Sequence, residues 1–539
     1  SGSGEKPTPV LSISSGELVG LSDEDTGIAS FKGIPYAAPP VGEMRWQPPQ
    51  PAQPWEGVLN ADTHGPGCYQ NSDGLGAFID LMMDGVGLEP WKRFIFSSLA
   101  SALSDAEISE DCLTLSVFSP AVSDKPLPVM VWYHGGGHKN GAGDAMNYDG
   151  TLLAERDVVL VSINYRLSVF GFLAHPELSA ESPHNSSGNY GTLDQIHALH
   201  WVQDNIAAFG GDPNNVTVFG ESAGGHSVGQ VMASPLAAGL LHRGIAQSGM
   251  GTHQFQPLRG GDRNGEGLGL ALAAELGISG TGQLSRLREL SPEQLTTAFE
   301  SRRDLEGLSH PFIDGWVFPD AVGRIFARGE QANVPLMVGS NGDEGTLLAP
   351  LIGTPFVDQH PGPKSVAEYK DMVRKVYPDS AEQILALYPV ASDEDLFGAI
   401  NDLFGDHFFG MQAWYAAQQT AKQGIPTWLY FFTRQSPAES QWAGAYHGAD
   451  IQFVFGSFFP IFPRNEFDES LSAKMMDYWT NFARSGDPNG EGLPQWTAFD
   501  PQSPQEMELG AQVGMRKVSR QHNYELLMSD QRRKLAATP

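Results

Sequence analysis

The chain has 539 residues, 41 % of them hydrophobic, which is enough for a large buried core. It carries 63 Asp and Glu against 33 Lys and Arg, a net charge of −30. Such a surface repels phosphate backbones, which disfavours a nucleic-acid partner and favours neutral or cationic ligands; no apolar run reaches the roughly 18 residues of a membrane-spanning helix. Ser1-Gly2-Ser3-Gly4 reads as a cloning remnant from which a leader has been removed. The two cysteines, Cys68 and Cys112, permit one disulfide or two separate thiols. A bridge would close a loop of about 45 residues, contribute about 4 kcal/mol through chain entropy, and point to an oxidising compartment.

In chain order, Leu11 to Ile34 alternates apolar and polar residues between turn signals and predicts a short β-meander. The stretch from Gly33 to Gly42 is too proline-rich for a helix. Asn71 to Leu103 reads as a long connection whose apolar groups, among them Met82, Met83, Trp91, Phe94 and Phe96, cover the surface or rim an entrance. Leu127 to Tyr133 and Val158 to Asn164 are near-continuous apolar runs that fit buried central strands. Helical spacing marks Met146 to Arg156 and Thr192 to Phe209. Further strands are expected at Val216–Phe219, Arg243–Gln247, Val334–Gly339 and Thr427–Phe432, with a mostly helical stretch from Ser248 to Val334. Strands alternating with helices give a parallel or mixed α/β sheet. Gly265-Glu266-Gly267-Leu268-Gly269 lacks the spacing and the preceding strand of a dinucleotide site.

The chemistry gathers around Gly220-Glu221-Ser222-Ala223-Gly224, a G-x-S-x-G placed between a strand and a helix from His226 to Ala233. In that context the turn exposes the Ser222 hydroxyl and aims the Ala223 N–H at the same point. His134-Gly135-Gly136-Gly137 follows Tyr133 at a strand end and fits a loop whose bare backbone N–H groups face an anion. A helix that would pair His134 with His138 on a metal is argued against by the glycines between them. A carboxylate is expected after the Val338 strand, where Asp343 and Glu344 both fit; His447 sits in a loop before an apolar segment.

With these motifs in place the chain resembles the type-B carboxylesterase and cholinesterase family over nearly its whole length. The resemblance is carried by Phe31 to Gly42, Ser109-Glu110-Asp111-Cys112-Leu113, Asn164-Tyr165-Arg166, Leu193-Asp194-Gln195 and the Ser222 turn. It extends through Asp343-Glu344-Gly345, His447-Gly448, Trp479 to Ala483 and Gly486 to Asn489. It implies one α/β-hydrolase domain over residues 5–539: a large central, mixed but mostly parallel sheet flanked by helices, with long loops and helical insertions over an active-site gorge. It makes Ser222 the nucleophile, His447 the base and Glu344 the acid, with an oxyanion hole from the N–H groups of Gly136, Gly137 and Ala223. It places Glu221 and Ser248 behind them, pairs Cys68 with Cys112, and sets Arg45–Glu110 and Arg166–Asp194 as structural ion pairs. It puts Leu347 and Leu348 where the family lines its gorge.

The departures narrow the expectation. His138 stands where an aromatic residue is common, and His226 where a small one is usual. Trp91 does not match the spacing of the choline-binding tryptophan, so a microbial esterase of the para-nitrobenzyl-esterase kind is expected rather than an acetylcholine hydrolase. The implied activity is hydrolysis of neutral small-molecule esters through an acyl-enzyme, without cofactor or metal, in a secreted or periplasmic setting. Amides, lactones or thioesters are the alternative substrates. A non-catalytic adhesion protein of the same fold is the alternative class, one that usually loses the serine.

Overall fold

The structure is a computed structural model that describes residues 4–104, 106–120, 124–253, 256–352 and 362–537. Ser1 to Ser3, and part of the expected pocket segments 251–261 and 347–364, lie outside them. A twelve-stranded sheet runs through the molecule. Its central members lie side by side in the order Val159–Ile163, Leu127–Tyr133, Gly211–Glu221, Arg243–Gln247, Leu336–Asn341, Thr427–Phe432 and Gln505–Leu509, all parallel. The edges are antiparallel, with Thr114–Pro120, Ile28–Pro35, Leu21–Asp23 and Glu5–Pro7 on one side and Val513–Lys517 on the other. The fold is that of the α/β hydrolases.

Register does the positioning. Tyr133 lies level with Gly220, and Glu221 with Gln247. The segments leaving these strands therefore emerge together at the carboxyl ends of neighbouring parallel strands, the place where open α/β sheets hold their sites. Helices cover both faces, and Val129, Val131, Trp132, Val159, Val161, Val216 and Val218 are completely buried. That explains why these strands read as continuous apolar runs rather than alternations.

Several expectations shift. The meander divides: Leu11–Ile13 and Gly16–Val19 join Val58–Asn60 in a small separate sheet, while Leu21–Asp23 and Ile28–Pro35 enter the main one. Met146–Arg156 is a single 3-10 turn, Met146–Tyr148, and a short helix, Thr151–Ala154. Gly150 divides it, and Asp149 turns its carboxylate onto the Thr151 N–H at 2.9 Å. Asn71–Leu103 is not a loop but two helices, Asp73–Gly85 and Pro90–Ser104. Met82, Met83, Val86, Leu88 and Phe96 face the core, whereas Trp91 and Phe94 face outward.

Cys68 and Cys112 form a disulfide that staples the ends of this helical pair. Among the described residues there is no free cysteine. Replacing both cysteines by Ser is expected to lower the unfolding free energy by about 4 kcal/mol, measured from denaturant midpoints at constant slope. Both expected ion pairs are present. Arg45 meets Glu110 through Nε and Nη2 at 2.7 and 2.8 Å. Arg166 meets Asp194 through the same fork at 2.8 Å twice, in full burial.

Candidate active site

Ser222 occupies the sharp turn between the Gly211–Glu221 strand and the Ala223–Ala233 helix, at φ 58° and ψ −120°. Such a backbone is strained in any residue with a side chain, by about 1–3 kcal/mol, and here tight packing imposes it. A Cβ on Gly220 would lie 2.4 Å from the Gly224 carbonyl oxygen, and one on Gly224 1.9 Å from that of Tyr133. Only glycine at both positions lets the strand, the helix and the neighbouring strand close together. The turn is pinned by the Ser222 N–H donating to the Gln247 carbonyl at 2.9 Å. Ser222 itself remains half-buried while Ala223 behind it is buried.

The glycine loop after Tyr133 lies directly over this turn. A Cβ on Gly135 would come within 2.9 Å of Glu221 and 3.3 Å of the Ser222 Cβ. Gly136 and Gly137 have φ of 118° and 65°. The N–H groups of Lys139 and Asn140 fold back onto the Gly136 carbonyl at 3.0 and 3.1 Å. A Cβ on Gly136 would meet the Asn140 carbonyl at 2.0 Å. Among the described residues no protein acceptor takes the N–H of Gly136, Gly137 or Ala223. The Ala223 N–H also opens a helix, whose positive end favours an anion.

Of the two acids left open by spacing, Glu344 is the one that reaches the histidine. Its Oε1 accepts from His447 Nδ1 at 2.9 Å, and both side chains are buried. Asp343 instead accepts the Ala445 N–H at 2.9 Å and braces the loop that carries His447. With Nδ1 committed to Glu344, His447 directs Nε2 at the serine turn, where Glu221 Oε2 lies 3.3 Å away. Phe409 stacks on the imidazole with centroids 4.7 Å apart. Behind the site, Asp450 accepts from Gln247 at 2.8 Å and from Asn341 at 3.1 Å. The Asn341 N–H in turn donates to Glu344 at 3.3 Å.

The electrostatics follow from burying this many acids. Burial pushes Glu221 up to about 8, with His447 opposing and Asp450 and Glu344 adding to the rise. Burial also raises Glu344, although the hydrogen bond from His447 works against it, as does the nearby Ser248 hydroxyl. For His447 burial disfavours the charged ring, but Glu221, the Glu344 bond and Asp450 outweigh it and push the imidazole up to about 9. With His447 as the expected base, active only when neutral, kcat/KM is expected to rise with pH through an apparent value above the ordinary 6.5 or so of histidine. Glu221→Gln removes the carboxylate that, where it is ionised, holds His447 up most strongly. The acid limb of its pH profile is expected to move to lower pH, measured as kcat/KM against pH for both proteins; a limb that stays in place would contradict this coupling.

Ser248 is buried at φ 49°, just after the Arg243–Gln247 strand. His138 is buried behind Gly137, and His226 accepts the Gly251 N–H on Nδ1 at 2.8 Å. Leu347 is wholly buried against Gly85 of the Asp73–Gly85 helix and belongs to the core rather than to an open lining; Leu348 is half-buried. Asp450, Gln247, Asn341 and Phe409 were not singled out by the sequence. Asp450 had a weak signal, lying three residues after His447, whereas Phe409 comes from a π turn, Asp406–Gly410, that only tertiary packing brings to the site. Among the described residues no group of three or more His, Cys, Asp or Glu side chains is arranged to hold a metal ion.

Comparison with known proteins decides the family. A model described as "Carboxylesterase family" matches residues 7–527. The chain belongs to the carboxylesterase family. The fumonisin B1 esterase of Sphingopyxis macrogoltabida is 35 % identical over 520 residues, covering 95 % of this chain and 88 % of that protein. The liver carboxylesterase of Sus scrofa is 37 % identical, over 91 % of this chain and 88 % of that one. A thermophilic PNB esterase superposes with a TM-score of 0.78 at 31 % identity, covering 96 % of this carboxylesterase and 99 % of that structure. The protein is thus a hydrolase of carboxylic esters, and no helix among the described residues is long and apolar enough to cross a membrane.

Proposed function

We propose that this carboxylesterase cleaves small-molecule esters by a Ser222–His447–Glu344 triad through an acyl-enzyme. The observation that carries the proposal is the Glu344–His447 bond at 2.9 Å, which commits Nδ1 and leaves Nε2 3.3 Å from Glu221 Oε2, the residue before Ser222. His447 Nε2 takes the proton of Ser222 as the Oγ attacks the ester carbonyl. Glu344 fixes the tautomer and stabilises the imidazolium. The N–H groups of Gly136, Gly137 and Ala223 receive the developing oxyanion. The alcohol leaves with the proton from His447, and water repeats the attack on the acyl group. Each hole donor supports about 10²–10³ in rate.

Amide cleavage needs more help for a poorer leaving group, so a matched pair separates the reaction classes. Para-nitrophenyl butyrate is expected to turn over with saturation, and para-nitrobutyranilide far more slowly. Comparable rates on both would make amides the substrate instead. The adhesion reading is disfavoured because serine, histidine and acid all stand in place. The Cys68–Cys112 disulfide supports a secreted or periplasmic setting, where thiols stay oxidised.

A further inference from the structure

Four imidazoles outside the triad converge beside the nucleophile: His138, His226, His253 and His310. His138 follows the oxyanion glycines directly. His226 lies one turn into the helix behind Ser222, and its N–H donates to the Ser222 carbonyl at 2.9 Å. The rings of His226 and His253 meet edge-on with centroids 4.9 Å apart, and those of His138 and His310 at 5.9 Å. Phe409, which stacks on His447, also lies parallel to His226 at 6.3 Å.

The cluster is rich in uncommitted polar atoms. His138 is 1 % exposed, and neither of its ring nitrogens has a hydrogen-bond partner. His253 Nδ1 and His310 Nδ1 are likewise buried without one. His226 Nδ1 accepts from Gly251, so its neutral ring carries the proton on Nε2. An unmet buried donor or acceptor is costly; His134 leaves one ring nitrogen unmet, but among the described histidines only His138 leaves both, whereas His175 has both bonded. Burial holds all four cluster rings below the ordinary imidazole range, with neighbouring histidines adding to the drop at His138, His226 and His253, and Lys139 adding to it at His310 while Glu306 opposes. The charged groups at the edge are Lys139 and Glu306, which pair with each other beside His310.

We propose that these four histidines form an acyl subsite that receives an acyl group ending in a carboxylate, such as the half-ester of a dicarboxylic acid. The inference rests on Ser222 being the nucleophile. His138 and His226 continue from the two elements that hold the carbonyl oxygen, so they flank the acyl group, whereas His447 must face the leaving alcohol. A carboxylate is acceptor-only, with about four lone-pair sites, and matches the ring N–H of His138, which has no protein acceptor, with the unpartnered nitrogens of His253 and His310 beside it. Its charge favours protonation of the rings around it. The −30 charge of the chain acts on approach; the subsite acts at contact.

The test uses monoethyl succinate and its uncharged isostere ethyl isocaproate, followed by titration at constant pH. Wild type is expected to prefer the half-ester in kcat/KM by about tenfold or more, the discrimination gained when buried donors are met rather than left unpaired. In His138→Phe and in His310→Phe that ratio is expected to fall below one, and His138→Gln, which keeps a donor, is expected to recover part of it. Calorimetry of free succinate binding to Ser222→Ala gives a readout independent of turnover. His138→Phe in that background should weaken binding by about tenfold, equivalent to about 1.4 kcal/mol. An unfolding temperature that drops in one variant moves the judgement to the other. Equal kcat/KM for the two esters in wild type, or succinate binding unmoved by His138→Phe, overturns the subsite while leaving the esterase reading intact. If wild type turns over neither ester, succinate binding alone decides the subsite, and the triad reading is judged on para-nitrophenyl esters.

Discussion

Ser222→Ala is expected to lower kcat toward para-nitrophenyl esters by about 10⁶-fold, the scale at which a triad nucleophile acts as a unit with its base. The alanine keeps the turn, because Gly220 and Gly224 impose it whatever the side chain at 222. It also leaves the three oxyanion donors in place. A residual rate of about 10³–10⁴ over water is therefore expected from the hole and from binding alone. The unfolding midpoint should hardly move, since Ser222 is half-buried and Ala meets the same φ of 58°. Steady-state hydrolysis with thermal unfolding in parallel checks both halves. A loss of activity accompanied by unfolding would point to a structural serine instead.

Glu344→Gln is expected to cost about 10⁴ in kcat, less than the serine because the nucleophile and base remain. The amide is isosteric but can present its NH₂ to His447 Nδ1. That turns the ring to the wrong tautomer, with the proton on Nε2 where the base must be bare. Asp343 cannot substitute, since its carboxylate is spent on the Ala445 N–H. Asp343→Asn is accordingly expected to lower stability more than activity. Measuring kcat and denaturation midpoint for both variants distinguishes the two neighbouring acids; equal kinetic losses would contradict the assignment.

Much of this site was legible because its parts are local. A serine between glycines at a strand end, a glycine triplet at another, and a histidine before Gly448 each need only short-range geometry. The central strands were legible because burial on both faces leaves continuous apolar runs such as Leu127–Tyr133. What sequence spacing left open was the choice between Asp343 and Glu344, since both follow the same strand and only the distance to His447 separates them. The helices Asp73–Gly85 and Pro90–Ser104 read as a connection because exposed Leu75 on the first, and Trp91 and Phe94 on the second, blur the apolar stripes. The histidine cluster was visible only as two odd substitutions, His138 and His226. His253 and His310 join them only through tertiary packing, which no local pattern records.

The central claim is a covalent acyl group on Ser222. Wild type mixed with para-nitrophenyl acetate and quenched in acid within milliseconds is to be digested and examined by mass spectrometry. An acetyl group is expected on the peptide holding Gly220 to Gly224, localised to Ser222, with a matching burst of para-nitrophenol and neither signal in Ser222→Ala. Steady turnover with no burst, no acetylated Ser222, and a methanol-to-water product ratio that differs between phenyl acetate and para-nitrophenyl acetate would mean that water attacks the ester directly, and the acyl-enzyme mechanism would be wrong.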